Sequence, residues 1–128
     1  MKKQGTSENQ VNSVYLAFGS NLGDRKKNLN KALKLLDKEN IIIKKKSKLY
    51  TSKSWPNEKF PEFINFVIFI ETSLNLKKLF LKIKNIESKV GRVKSKRNFP
   101  RVCDIDIIDF NGRIIQKKSW KERNQYTP

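Results

Sequence analysis

Short apolar runs alternate with polar, turn-forming stretches along this chain, and the spacing within each run indicates its element. Val14-Tyr15-Leu16-Ala17-Phe18 is an apolar run closed by Gly19, which predicts a buried strand. The loop Gly19-Ser20-Asn21-Leu22-Gly23-Asp24 follows, and Asp24 suits a helix N-cap. Leu29, Leu33 and Leu36 then recur at helical spacing, with Ala32 and Leu35 beside them, and predict a helix ending by Asn40. Ile41 to Lys53 mixes β-branched and basic residues and predicts a second, partly exposed strand. Ser54 to Pro61 contains two prolines and reads as a loop. Phe63 to Leu74 is apolar on both faces in its middle, the mark of a central strand. Ser73 or Asn75 can cap a second helix whose apolar face is marked by Leu76, Phe80, Ile83 and Val90. Gly91 to Arg101 is a basic loop, Val102 to Phe110 a fourth strand, and Asn111-Gly112 a hairpin turn before Arg113-Ile114-Ile115.

The resulting order, β-α-β-β-α-β plus a hairpin extension, predicts an α+β, ferredoxin-like antiparallel sheet with its helices on one face. Residues 1–12 carry no periodicity and are expected to form a disordered tail before a single domain over 13–128.

Composition narrows the chemistry. In 128 residues, 29 Lys and Arg oppose 12 Asp and Glu, a net charge of +17 that favours anionic partners without choosing among them. The absence of histidine excludes a Ser/His/Asp triad, an imidazole base and a His-bearing zinc site within this chain. A single cysteine, Cys103, excludes an internal disulfide framework and suits a reducing compartment. Met1-Lys2-Lys3 precedes the polar stretch Gln4 to Ser13 rather than an apolar signal core, and Val14–Phe18 and Phe66–Ile70 are too short to span a bilayer. A soluble, cytoplasmic protein is therefore expected, with any catalysis resting on carboxylates, Lys, Arg, hydroxyls, a metal or a cofactor.

Asp104-Ile105-Asp106-Ile107-Ile108 is the most informative segment. Residues two apart on a strand share a face, so the two carboxylates stand roughly 7 Å apart while the isoleucines pack on the other side. Hard oxygen ligands on a rigid strand suit Mg²⁺, which takes one or two protein carboxylates and completes its shell with water and phosphate. A half-exposed strand with a polar face would look the same. Arg92, Lys94, Lys96, Arg97 and Arg101 crowd just before this strand, and three of the chain's six arginines lie there. Cations beside a carboxylate pair are what a polyphosphate requires, although a solvated charge run also fits. The Gly19–Asp24 loop sits at a strand-to-helix junction where backbone N–H groups can face a ligand, but it lacks the spacing of a Walker A loop and a structural turn accounts for it. Phe63 and Asn65 share one strand face next to Tyr50–Pro56, so a flat heterocycle could stack on the ring and bond the amide. A core Phe and a turn-capping Asn are the plain alternative.

Taken together and in order, these stretches resemble the 6-hydroxymethyl-7,8-dihydropterin pyrophosphokinase family of folate biosynthesis. The resemblance is carried by Val14 to Arg25 with Asn28-Leu29, by Phe63-Ile64-Asn65, by Glu87 with Gly91-Arg92, and by Pro100 to Ile108. It implies a Mg²⁺-dependent enzyme that transfers pyrophosphate from ATP to the hydroxymethyl group of the pterin and releases AMP. Asp104 and Asp106 would hold two Mg²⁺ ions. Arg92 and Arg101 would be catalytic cations, and Glu87, Arg92, Lys94, Arg97 and Arg101 would serve ATP. Ser52, Lys53, Trp55, Phe63 and Asn65 would bind the pterin. Asn98-Phe99 stands where the family usually has Trp-Gly, and the chain stops near Tyr126-Thr127-Pro128, before the family's Pro-His motif and a further aromatic, so a C-terminally incomplete domain is expected. The competing expectation is a basic ferredoxin-like module that binds nucleic acid. Against it, the 23 lysines and six arginines are spread along the chain, and no RNA-recognition strand is present.

Overall fold

The computed structural model describes residues 10–38, 40–93 and 99–115. Strands β1 (Asn12–Ser20), β2 (Ile41–Lys46), β3 (Tyr50–Ser52), β4 (Phe63–Thr72), β5 (Asp104–Phe110) and β6 (Arg113–Ile114) form one antiparallel sheet. Its order is β2-β4-β1-β5-β6, with β3 pairing β4 past the end of β2. Helices α1 (Arg25–Leu36) and α2 (Leu76–Val90) pack on each other, α1 against β1 and β4 and α2 against β5. This α+β architecture is compatible with the expected ferredoxin-like layout.

Strand alternation gives the sheet two unlike faces. Val14, Leu16 and Phe18 of β1 are in register with Ile70, Ile68 and Phe66 of β4, and with Phe110, Ile107 and Ile105 of β5. All nine are buried, and the Phe18 and Phe66 rings stack at 4.7 Å. The helices close this face. Asp24 caps α1 by accepting from the Lys27 N–H, and Leu29, Ala32 and Leu36 turn inward. Asn75 likewise caps α2 by accepting from the Lys78 N–H. Burying each of these Val, Leu, Ile and Phe side chains stabilises the fold by about 1.5–3 kcal/mol before chain entropy is set against it. The opposite face keeps Ala17, Gly19, Asn65, Asp104 and Asp106, and it carries the site.

Four expectations shift in detail. The first strand starts at Asn12, inside the segment read as tail, because its side chain donates to the Leu74 carbonyl (2.8 Å) and accepts from the Asn111 amide (2.8 Å), which lets a polar residue be buried there. The strand expected over Ile41 to Lys53 is broken in two. At the break Ser47 N–H donates to the Val67 carbonyl (2.8 Å) while its own Oγ accepts from the Val67 N–H (2.9 Å), so a side chain stands in for the backbone and β3 starts afresh. The buried face of α2 is Leu79, Ile83, Ile86 and Val90 with Glu87; Leu76 and Phe80 lie at its margin, half-buried. In β5 the register skips Ile108, which bulges out and is exposed, so Asp109 and Phe110 resume the pairing with Tyr15 and Val14. Residues 1–9 of the expected tail and the region from residue 116 onward lie outside the described residues.

Candidate active site

The open face is organised around β1. Gly19 is in register with Asn65 on one side and Asp104 on the other, and Ala17 is likewise flanked by Val67 and Asp106. Adjacent strands lie about 4.8 Å apart, so the Asn65 and Asp104 rows are about 10 Å apart across β1. Two small residues therefore floor the space between an amide-aromatic side and a carboxylate side. A cavity of about 300 Å³ opens here, lined by Gly19, Asn21, Ser52, Lys53, Ser54, Trp55, Phe63, Asn65, Phe99, Arg101, Asp104 and Asp106 together with Ala17 and Phe18.

On the carboxylate side, Asp104 Oδ1 faces two guanidinium groups, with Arg92 Nη1 at 3.2 Å and Arg101 Nη1 at 3.9 Å. The turn that brings Arg92 here needs a glycine. Gly91 adopts φ 126°, where a side chain would be strained, and this closes α2 with the Arg92 N–H donating to the Glu87 carbonyl at 3.0 Å. Arg92 Nη1 then meets Glu87 Oε2 at 2.9 Å, and the same oxygen accepts from the Ile105 N–H at 2.7 Å, between the two aspartates. Lys84 Nζ forms an ion pair with the other oxygen at 3.0 Å. Glu87 is only 2% exposed, and burial holds its carboxyl above the usual carboxylate range despite both cations and the Ile105 N–H. Cys103 is buried beside this cluster, and loss of solvent, reinforced by Glu87 and Asp104, pushes its thiol far up.

On the aromatic side, Asn65 Nδ2 donates to Ser52 Oγ at 3.0 Å and to the Tyr50 carbonyl at 3.3 Å, so β3 fixes the amide. Phe63 stands two residues away on the same face, in register with Ser52. The loop after β3 brings Lys53, Ser54 and Trp55 over the pocket, with Trp55 77% exposed at its rim. Phe99 approaches from the opposite loop, its ring 5.6 Å from that of Phe60.

Asn21 ties the two sides together. Fully interior at 2% exposure, it donates from Nδ2 to Ser54 Oγ (2.7 Å) and the Pro61 carbonyl (3.1 Å). Its Oδ1 accepts from the Arg101 N–H (2.7 Å), and its own N–H donates to the Arg101 carbonyl (3.0 Å). One side chain thus pins the loop after β3 to the arginine that faces Asp104.

The cavity gathers Ser52, Lys53, Trp55, Phe63, Asn65, Arg101, Asp104 and Asp106 from the residues singled out in the sequence. Arg92 and Glu87 stand behind Asp104 instead of lining the space. Lys94 and Arg97 lie outside the described residues, as does Asn98. Sequence reasoning missed the hub role of Asn21 and the floor made by Gly19 and Ala17. The signal for both was their position, at the end of a strand whose neighbours carry the candidate chemistry.

The donor set fits a hard divalent cation. Asp104 and Asp106 are both partly exposed and line the same cavity, and among the described residues no cluster of three or more His, Cys, Asp or Glu offers a closed protein shell. An ion held by two carboxylates must complete its coordination with water and ligand oxygens, which is how Mg²⁺ meets phosphates.

A family model described as 7,8-dihydro-6-hydroxymethylpterin-pyrophosphokinase matches residues 15–126. The chain is 42% identical over 109 residues to a 2-amino-4-hydroxy-6-hydroxymethyldihydropteridine pyrophosphokinase of Aquifex aeolicus, covering 85% of this chain and 68% of that one. A protein of the same name from Bacillus subtilis is 36% identical over 106 residues, covering 82% of this chain and 64% of its own. A folic acid synthesis protein of Dictyostelium discoideum is 42% identical over 115 residues, 90% of this chain but 17% of that protein.

Proposed function

The chain belongs to the 7,8-dihydro-6-hydroxymethylpterin pyrophosphokinase family, and on that premise we propose that it transfers a diphosphate from ATP to the hydroxymethyl group of the reduced pterin, in folate biosynthesis. The hydroxymethyl oxygen attacks the β-phosphorus as the bond from that phosphorus to the bridging oxygen of AMP breaks; AMP leaves with the bridging oxygen and the hydroxyl proton is released. Such a transfer asks the protein mainly to position an in-line attack and to stabilise charge, so the lack of an imidazole base is no obstacle to the chemistry.

The observation that carries this reading is the two-sided open face. A carboxylate pair flanked by guanidinium groups and an aromatic-amide pocket lie about 10 Å apart, with only β1 between them. Asp104 and Asp106 are the residues that would hold Mg²⁺, as two ions by family resemblance, and the bound metal would offset polyphosphate charge. Arg101 lines the cavity and meets the phosphates directly. Arg92 supplies positive charge from behind Asp104, and Glu87 serves the nucleotide side by holding Arg92 rather than by touching ATP. Lys94 and Arg97, which fall between α2 and β5 in the sequence, would add further cations. Phe63 stacks on the pterin and Asn65, fixed by Ser52, bonds its edge, while Lys53 and Trp55 close the pocket's outer side.

Incubating the purified chain with ATP, Mg²⁺ and 6-hydroxymethyl-7,8-dihydropterin is expected to yield AMP and the pterin diphosphate in equal amounts. No AMP from this chain or from a version extended to the length of its Aquifex relative would overturn the proposal.

A further inference from the structure

Gly19 is not in a backbone conformation that demands glycine; the glycines with positive φ among the described residues are Gly23, Gly91 and Gly112. What Gly19 lacks is room. A Cβ built on it would lie 2.9 Å from Asn65 Oδ1 and 3.2 Å from Phe63 Cδ1, the first closer than real Cβ contacts come. The nearer neighbour cannot yield freely. The Asn65 amide is held from the other end by Ser52 Oγ and the Tyr50 carbonyl, and the Phe63 backbone is paired with Ser52 on β3. Toward β5, by contrast, none of the three nearest atoms to that Cβ belongs to Asp104, although Asp104 is the register partner of Gly19 on that side.

We infer that Gly19 is a positioning residue that sets where the flat heterocycle sits: its missing side chain lets the Asn65 amide and the Phe63 ring lie down against β1 and so defines the pocket floor on the heterocycle side alone. This rests on the proposed pyrophosphokinase reading and adds to it a residue with a one-sided effect. A methyl group at position 19 lifts Asn65 and Phe63 out of place, while the carboxylate side keeps its geometry.

The test is Gly19→Ala, read with two separate ligands. Oxidised 6-hydroxymethylpterin is titrated by its own fluorescence, and a non-hydrolysable ATP analogue with Mg²⁺ by calorimetry. Pterin affinity is expected to fall on the order of tenfold or more, since misplacement by a fraction of an ångström at a stacked, hydrogen-bonded site is costly, while analogue affinity stays within about twofold of the original. In an Asn65→Ala background, where the 2.9 Å contact is gone, the same substitution is expected to lose most of its effect on pterin binding. Unchanged pterin affinity in Gly19→Ala, or equal weakening of both ligands, would overturn the inference. Should Gly19→Ala fail to fold, the double variant with Asn65→Ala is expected to fold, and failure of both would also overturn it. Melting temperatures of the single and double variants read the same clash without any ligand. An unmodified chain that binds neither ligand would therefore count against the pyrophosphokinase reading, while rescue of folding by Asn65→Ala would still decide the case of Gly19.

Discussion

Replacing Asn21 by alanine removes three side-chain hydrogen bonds at one interior point: two donated to Ser54 Oγ and the Pro61 carbonyl, and one accepted from the Arg101 N–H. Each is worth about 1 kcal/mol net, and a buried donor left without its acceptor costs about 1–3 kcal/mol. Ser54 still donates to the Pro61 carbonyl (2.8 Å), so the loop retains one tie of its own, whereas the buried Arg101 N–H loses the Asn21 Oδ1 acceptor. The two donated bonds at about 1 kcal/mol each and the orphaned N–H at about 1–3 kcal/mol sum to a destabilisation of about 3–5 kcal/mol, large against the roughly 5–15 kcal/mol of a whole domain. Urea denaturation should show the midpoint fall with an unchanged slope, because the surface exposed on unfolding is the same. Thermal melting should drop by about 10 °C or more. The loss should also reach function, because Arg101 and the loop after β3 are no longer locked to each other. A destabilisation below about 1 kcal/mol would refute the claim that these hydrogen bonds join the two sides of the site.

Three further outcomes follow from the carboxylate side. Glu87 has its folded pKa raised above its ordinary value of 4.5 by burial, so its protonated form is favoured in the fold and the associated stability is lost as pH rises through that raised value. Denaturation of the unmodified chain and of Glu87→Gln across pH should accordingly show the unmodified chain losing ground to the variant above pH 4.5; the opposite slope would contradict burial as the dominant effect. Cys103, buried and with its thiol pushed far up, should be inert to Ellman's reagent in the native state and react once on unfolding; fast native labelling would contradict its placement. Asp104→Asn and Arg101→Ala should each lower the rate of AMP formation on the order of 10³-fold, and losses below about tenfold for both would mean that the site has been misassigned.

How far the sequence carries depends on whether the deciding partner is near or far along the chain. Strand alternation placed Asp104 and Asp106 on one face and Ile105 and Ile107 on the other, and the structure bears this out. Asp24 was legible as a cap, and Asn75 as one of two candidates with Ser73, because a cap needs only a backbone N–H three residues on. The orientation of α2 was not, because its apolar residues span a broad arc and only packing against β5 and α1 selects Leu79 and Ile86 over Leu76 and Phe80. The break at Ser47 and the bulge at Ile108 are register events settled by the neighbouring strand, invisible in a single strand's pattern. Arg92 reads in sequence as one cation of a basic loop, yet its guanidinium lies 2.9 Å from Glu87 on the helix before it. Asn21 is the extreme case, since its partners lie 33, 40 and 80 residues away and no local pattern marks a buried asparagine as a hub.

The central claim is that the carboxylate side and the heterocycle side share one face, about 10 Å apart across β1. Replacing Mg²⁺ by paramagnetic Mn²⁺, in the presence of a non-hydrolysable ATP analogue, and recording the NMR relaxation of the methylene protons of 6-hydroxymethylpterin tests it most directly. The account predicts strong Mn²⁺-dependent relaxation in the unmodified chain that disappears in Asp104→Asn with Asp106→Asn. Bound pterin that shows no such relaxation, or relaxation that survives the loss of both carboxylates, would contradict it.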